Sequence, residues 1–386
     1  MTHRIDTKLI EVARRHNGAA LAPVINASST FELSSVEQGR EMALSAGATC
    51  FYSRYGNPTV NDFEEAIAEL EGAEAARAFG SGMGAVAAVV LGLCSTGDHI
   101  VAQRQVYAGT QMLLQSVCPR MGIDVTFVDG TDPSAWEAAV RPGKTMLLLA
   151  ETPANPRLDL VDLGALAAIK GPMKVVDSTF ATPLAQRPLE LGCDIVVHSA
   201  TKFIGGHNDL TLGVVAASRE LIDWVWGFAV LQGAVASPHE AAGAIRGLRS
   251  LGVRMERQSS SAALIAKELE EHPAVVEVRY PGLTSHPQHD LARRQMDLMG
   301  GLVTFDLAGG LDAGRELVEA TRLCRLATSL GGPETLVTHP ASTTHVNLLP
   351  DELEASGIGE GTIRMSVGLE HPEDLLADLG TAMGRS

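Results

Sequence analysis

The chain has 386 residues, of which 30 are basic and 46 acidic, for a formal charge of −16. That balance argues against nucleic acid as a partner, because affinity for a phosphate backbone comes mostly from Lys and Arg. A hydrophobic share of 45% with 20% charged residues excludes a disordered chain, and at 4% aromatics the core must be built from Ala, Val, Leu and Ile.

Residues 1–57 hold few long periodic stretches; Ala22-Pro23-Val24-Ile25 reads as extended, and this arm is expected to pack on a partner. Asn57-Pro58 opens a helix that runs over Asn61–Leu70. A regular rhythm then begins. Short apolar runs at Ala76–Phe79, Ile100–Ala102, Val125–Val128, Met146–Ala150, Val175–Val176, Ile195–Val197 and Leu212–Ala216 alternate with helical stretches at 84–94, 107–118, 133–140 and 162–170. Such alternation predicts an α/β fold, with a mostly parallel sheet covered by helices on both faces. Beyond Pro238 the pattern changes: one or two long helices over Ala241–Glu271, then strands at Val275–Val278, Leu302–Phe305, Cys324–Ala327 and Ile363–Val367. The expected division is an arm over 1–57, a large domain over 58–238 and a smaller α+β domain over 239–386. No apolar run reaches the roughly 18 residues that span a bilayer, and no signal peptide is visible at Met1–Asp6. Five scattered cysteines form no CxxC pair and no zinc-like spacing, so no metal site is expected. These features predict a cytoplasmic protein without a membrane partner.

Three segments carry chemistry. In His198-Ser199-Ala200-Thr201-Lys202-Phe203-Ile204-Gly205-Gly206-His207, Lys202 follows an apolar strand and points toward the crevice where α/β sheets bind ligands. Desolvated there, an amine loses basicity and can form an imine with an aldehyde cofactor. Ser199 and Thr201 beside it could donate to phosphate oxygens. Asp177 ends the strand before that one, where an acid serves as a cap or as the partner of a protonated pyridine nitrogen. Phe79-Gly80-Ser81-Gly82-Met83-Gly84-Ala85 follows a strand and opens a helix, a natural phosphate site. The same glycines satisfy a loose dinucleotide pattern, which keeps a nucleotide-dependent oxidoreductase as a reading of another class. Against it, the acid at the expected distance, Asp98, precedes the second strand instead of following it.

The sequence resembles the Cys/Met-metabolism enzymes that use pyridoxal 5′-phosphate (PLP): the cystathionine synthases and lyases, methionine γ-lyase and the homoserine-ester sulfhydrylases. Tyr52-Ser53-Arg54-Tyr55-Gly56-Asn57-Pro58-Thr59, Glu151-Thr152-Pro153-Ala154-Asn155-Pro156, Ser199-Ala200-Thr201-Lys202 and Ser329-Leu330-Gly331-Gly332 carry the resemblance, which extends from Asp6 to Glu370. It implies the fold type I (aminotransferase-like) architecture, with a seven-stranded sheet in the large domain. It implies that Lys202 holds PLP as an imine and shuttles protons, that Asp177 pairs with the ring nitrogen, and that Tyr107 stacks on the ring and serves as an acid–base group. Ser81, Gly82 and Met83 with Ser199 and Thr201 would cradle the phosphate. Tyr52 and Arg54 would reach the phosphate of a neighbouring subunit, making a dimer the minimal unit and a tetramer the expected assembly. Arg364 would clamp the substrate carboxylate, helped by Asn155 and the Ser329 backbone.

The implied activity is γ-elimination or γ-replacement on an amino acid through a vinylglycine-type intermediate. A cystathionine lyase of trans-sulfuration is the alternative, and a regulatory protein on the same fold is a further reading that the presence of Lys202 and Asp177 disfavours. Departures bear on the substrate. Thr328 stands where cystathionine-handling γ enzymes resemble one another in having Glu, and Gly109 where methionine γ-lyases have Cys. Ala229-Val230 stands where the latter carry Lys-Asp, although Glu334–Ser342 looks most like them.

Overall fold

In the computed structural model, residues 3–384 are described except 46, 345, 347–352, 354 and 355. The alternating region gives β1 (Ala75–Phe79), β2 (His99–Gln103), β3 (Asp124–Val128), β4 (Thr145–Glu151), β5 (Met173–Asp177), β6 (Ile195–His198) and β7 (Gly213–Ala217). They form one sheet in the order β1-β7-β6-β5-β4-β2-β3. Neighbours from β6 to β3 run parallel, whereas β7 is antiparallel to both β1 and β6.

Successive strand residues point to opposite faces, and both faces here are apolar. Val196, Val214 and Ala216 pack on one side with Phe63, Ile67 and Leu70 of the helix Pro58–Glu71. Val197, Val215 and Ala217 pack on the other with Val86, Val89 and Val90 of Gly82–Leu93 and with Ile222, Val225 and Trp226 of Arg219–Gln232. Small residues let these helices lie close: a Cβ on Gly213 would stand 2.1 Å from the Ser81 carbonyl oxygen.

The long C-terminal periodicity is one helix, Pro238–Glu270, started by Ser237, whose hydroxyl accepts the His239 N–H. At 33 residues it is roughly 50 Å long. Its first half packs in the core of the large sheet through Ile245, Leu248 and Leu251. Its second half, through Ala262, Ile265 and Leu269, covers a smaller sheet. That sheet comprises β8 (Val275–Arg279), β9 (Leu302–Leu307), β10 (Arg325–Leu326), β11 (Leu336–Thr338) and β12 (Thr362–Ser366), in the order β10-β11-β12-β9-β8.

The structure departs from the sequence expectations in four places. The stretch 107–118 is not one regular helix: an α-helical turn at Ala108–Met112 passes into a π-helical turn at Leu113–Val117. The arm contains short helices at Ile5–Glu11 and Val36–Leu44. Helix Arg219–Gln232 and the three-residue β11 are additional elements. No helix among the described residues is long and apolar enough to cross a membrane.

Candidate active site

Chain order reverses between β2 and β4, since β3 lies outside β2 and β5 outside β4. Ligands of open α/β sheets bind at such a switch, beyond the carboxyl ends of the strands. A cavity of about 490 Å³ opens there, lined among others by Ser81, Met83, Tyr107, Glu151, Asp177 and Lys202. Thr328 and Ser329, in the segment after β10, and Arg364 on β12 close it from the other side.

Lys202 follows β6 in a tight turn, with its N–H donating to Ser199 O at 3.0 Å and its carbonyl accepting the Gly206 N–H at 2.7 Å. Its Nζ donates to Ser329 Oγ at 2.6 Å. Burial, and then the Arg364 guanidinium, lower its pKa to about 8 from an ordinary value of 10.5. A substantial fraction of this amine is therefore neutral and nucleophilic near physiological pH. Ser329 itself has φ +77°, a left-handed conformation unusual for a side-chain-bearing residue and of a kind that gathers at ligand clamps.

Asp177 ends β5 and faces the cavity. Its Oδ1 accepts from the Thr179 N–H at 3.0 Å and the Thr179 hydroxyl at 2.5 Å. Burial raises its pKa, and the two Thr179 hydrogen bonds oppose the rise. A cationic partner at the free oxygen would relieve that desolvation. The Thr179 hydroxyl also accepts the Ser199 N–H at 2.8 Å, so the acid and the lysine turn are fastened together.

Opposite, Ser81 caps the helix Gly82–Leu93 by accepting the Gly84 N–H at 3.0 Å. Gly82 and Met83 occupy the first helical positions, whose N–H groups have no carbonyl within the helix to bind. Only glycine fits at 82, because a Cβ there would stand 2.7 Å from Ser199 Cβ. Ser199 lines this helix terminus. The Thr201 hydroxyl is also at the cavity wall, but it accepts the Leu212 N–H at 2.9 Å and contacts Leu212 O at 3.2 Å. An anion there would meet a helix N-terminus and hydroxyl groups.

Arg364 on β12 is 4% exposed. Nη1 donates to Asn155 Oδ1 at 2.8 Å and Nη2 to Ser329 O at 2.9 Å, while Nε has no partner among the described residues. Its burial lowers its pKa to about 10, so it stays charged at neutral pH. A charged fork fixed by neutral acceptors is suited to a carboxylate.

Tyr107 caps the turn after β2 and is 48% exposed. Its ring lies against Gly109, where a Cβ would stand 2.6 Å from Tyr107 Cε1 and 3.0 Å from Met83 Sδ. Thr328 is exposed at the mouth.

Two expected residues are not brought to this cavity by their own chain. Tyr52 is 42% exposed and joins a bridge to Thr30. Arg54 lies 5.0 Å from the Tyr55 ring centroid, and its Nη1 donates to Val230 O at 2.9 Å. Asp98, the acid that kept the dinucleotide reading open, accepts the Ser95 N–H at 2.6 Å in the turn before β2, away from the Ser81 helix terminus. Sequence reasoning missed Glu151 as a site residue. It ends β4 as Asp177 ends β5, the two are register partners, and that strand-end position was its signal.

A desolvated amine, a buried acid, an anion-binding helix terminus and a carboxylate fork in one cavity fit PLP, and with this sheet they define a PLP-dependent α/β enzyme. Comparison with known proteins makes the assignment specific: residues 6–384 match the family described as Cys/Met metabolism PLP-dependent enzyme, and the chain belongs to it. PLP is its cofactor. It is 45% identical over 373 residues to an L-methionine gamma-lyase of Pseudomonas deceptionensis, covering 95% of this chain and 93% of that one. It is 46% identical over 335 residues to an O-succinylhomoserine sulfhydrylase of Pseudomonas aeruginosa, covering 86% and 83%. The crystal structure of metB from Corynebacterium glutamicum superposes with a TM-score of 0.93 at 37% identity, over 100% of this chain and 98% of that one.

The lowered basicity of Lys202 has a measurable consequence. Only the neutral amine attacks an aldehyde, so uptake of PLP by cofactor-free protein should accelerate with pH and level off above about 8. A rate still climbing toward 10.5, the ordinary lysine value, would show an unperturbed amine.

Proposed function

We propose that this enzyme acts at Cγ of an amino acid, eliminating or replacing a γ-substituent as a methionine γ-lyase or a homoserine-ester sulfhydrylase does. The observation that carries the reading is the convergence of Lys202, Asp177 and Arg364 on one cavity. When bound, PLP supplies an electrophilic carbon for the substrate amine and a ring that withdraws charge from Cα.

The chain's own groups do the rest. Arg364, held by Asn155 and the Ser329 carbonyl, orients the substrate carboxylate through a paired donor. Asp177 would keep a positive charge on the ring nitrogen. The Ser81–Met83 helix terminus, Ser199 and Thr201 would hold the phosphate. Lys202 Nζ would take the Cα proton and carry protons to neighbouring carbons, with Ser329 Oγ as its hydrogen-bond partner. Tyr107, at the open side, transfers a proton at the departing γ-substituent. Among the described residues the acids lining the cavity are Glu151 and Asp177, at the strand ends, and none stands at Thr328. A substrate with a distal ammonium finds no counter-charge at that position, which favours methionine, homocysteine or an O-acylhomoserine over cystathionine.

Incubating the purified enzyme with each of these, with and without sulfide, separates the outcomes. Release of a 2-oxo acid identifies elimination, and a sulfide-dependent amino-acid product identifies replacement. Turnover of none of them overturns the reading.

On the same reading Tyr52 and Arg54 reach the phosphate site of a second copy, in a dimer or a tetramer in the cytoplasm. Both residues lie outside their own chain's cavity lining, which supports that role. Light scattering coupled to an activity assay should find activity only in species of dimer size or larger, and a fully active monomer contradicts it.

A further inference from the structure

Glu151 is a buried carboxylate, 5% exposed, in the cavity wall at the switch point of the sheet. Both its oxygens are in use. Oε2 accepts the Tyr107 N–H at 2.7 Å, and Oε1 accepts the Asn155 N–H at 2.8 Å. The first amide belongs to the turn after β2 and the second to the loop after β4, and those strands are neighbours. One side chain thus spans the crevice between the loop that carries the exposed tyrosine and the loop that carries the partner of Arg364.

The arrangement is costly for the fold. Glu151 is the register partner of Asp177, so two carboxyl groups lie side by side in a site of low polarity. Burial, and then the Asp177 charge, push the Glu151 carboxyl up; the Tyr107 and Asn155 N–H groups and the Arg364 guanidinium act in the opposite sense. The Gln103 side chain also faces this strand end, its Oε1 accepting the Glu151 N–H at 2.9 Å. A neutral acceptor would tie the loops without that repulsion, but with weaker hydrogen bonds than a carboxylate makes to N–H donors.

We infer that Glu151 is a positioning residue of the reaction: its carboxyl group, through the two N–H contacts, sets Tyr107 and Asn155 at the spacing that the substrate carboxylate and γ-substituent require. The inference rests on the proposed reading of the cavity as an amino-acid site, with Asn155 and Arg364 on the carboxylate.

The test uses the holoenzyme carrying Glu151→Gln, which keeps the shape but presents an NH2 group to one of the two N–H donors. Glycine, which has no γ-substituent, is titrated in and its binding followed in the visible band of the cofactor. Cofactor content should be retained, the visible circular dichroism should change because Tyr107 moves, and the glycine dissociation constant should rise roughly 10- to 100-fold, the loss of one hydrogen bond to a charged group. In an Asn155→Ala background the same substitution should raise it less than about 3-fold, because the groups act as a unit. A full penalty in that background, or unchanged binding and dichroism in the single variant, overturns the role. Glu151→Asp keeps the carboxyl group but is one methylene too short to reach both amides, and should repeat the loss; wild-type binding by that variant also overturns it. Because glycine binding is read without turnover, failure of the γ-substrate assignment would leave this outcome intact.

Discussion

Replacing Lys202 by Ala should give a folded protein without the yellow band of a PLP imine and with turnover reduced by more than about 10³-fold. Nζ is the group that both captures the cofactor and moves protons at Cα, so its loss removes two functions at once. The fold should tolerate the change. A partly buried amine held by a single hydroxyl, Ser329 Oγ, adds little that alanine does not. Lys202→Arg makes the sharper comparison: it retains a cation near Ser329 but stays protonated, and so should be as inactive as the alanine variant. Spectra and initial rates of both, at matched cofactor supply, check the expectation. A yellow, active Lys202→Ala protein would mean that another amine does the work.

Arg364→Ala should lower kcat/KM by roughly 10²–10⁴-fold, equivalent to about 3–6 kcal/mol, the range for two hydrogen bonds to a charged group. The Nη1 and Nη2 bonds to Asn155 and Ser329 fix the guanidinium plane before any substrate arrives, and among the described residues no other cation lines the cavity except Lys202. Most of the effect should be in KM, since the carboxylate is bound throughout the reaction. Arg364→Lys should recover only part, because an ammonium cannot hold Asn155, Ser329 and a carboxylate in one plane. The yellow band should persist in both, separating loss of substrate binding from loss of cofactor. Unchanged kinetics would place the carboxylate elsewhere.

The seven strands of the large sheet were legible because each is a short apolar run between helical stretches. Their order and the antiparallel direction of β7 were not. Gly213–Ala217 is buried at every position, and a strand apolar on both faces reads the same whether it runs parallel or antiparallel. Helix Arg219–Gln232 escaped notice because its apolar residues do not form one clean stripe: Trp224 and Leu231 are exposed at 66% and 85% while Val225 and Ala229 are buried.

Within the site, Asp177 was visible as an acid ending an apolar strand and Lys202 as an amine just beyond one. Arg364 and Asn155 were visible only through the family resemblance, since they lie 209 residues apart and nothing local joins them. Glu151 sat in a segment already singled out, but its meaning depends on the alignment of β4 with β5 and on amides supplied by two loops. Pairing of that kind is a property of the folded sheet. Thr328, Gly109 and Ala229-Val230 were legible as departures, and the packing of Tyr107 against Gly109 supplies the geometry behind one of them.

The most direct measurement is chemical. The holoenzyme is reduced with borohydride, which fixes an imine as a stable amine, then digested and mapped by mass spectrometry. The account predicts a phosphopyridoxyl group on the peptide containing Lys202 and on no other lysine peptide; a label at a different lysine, or an unmodified Lys202 after reduction has fully bleached the yellow band, would contradict it.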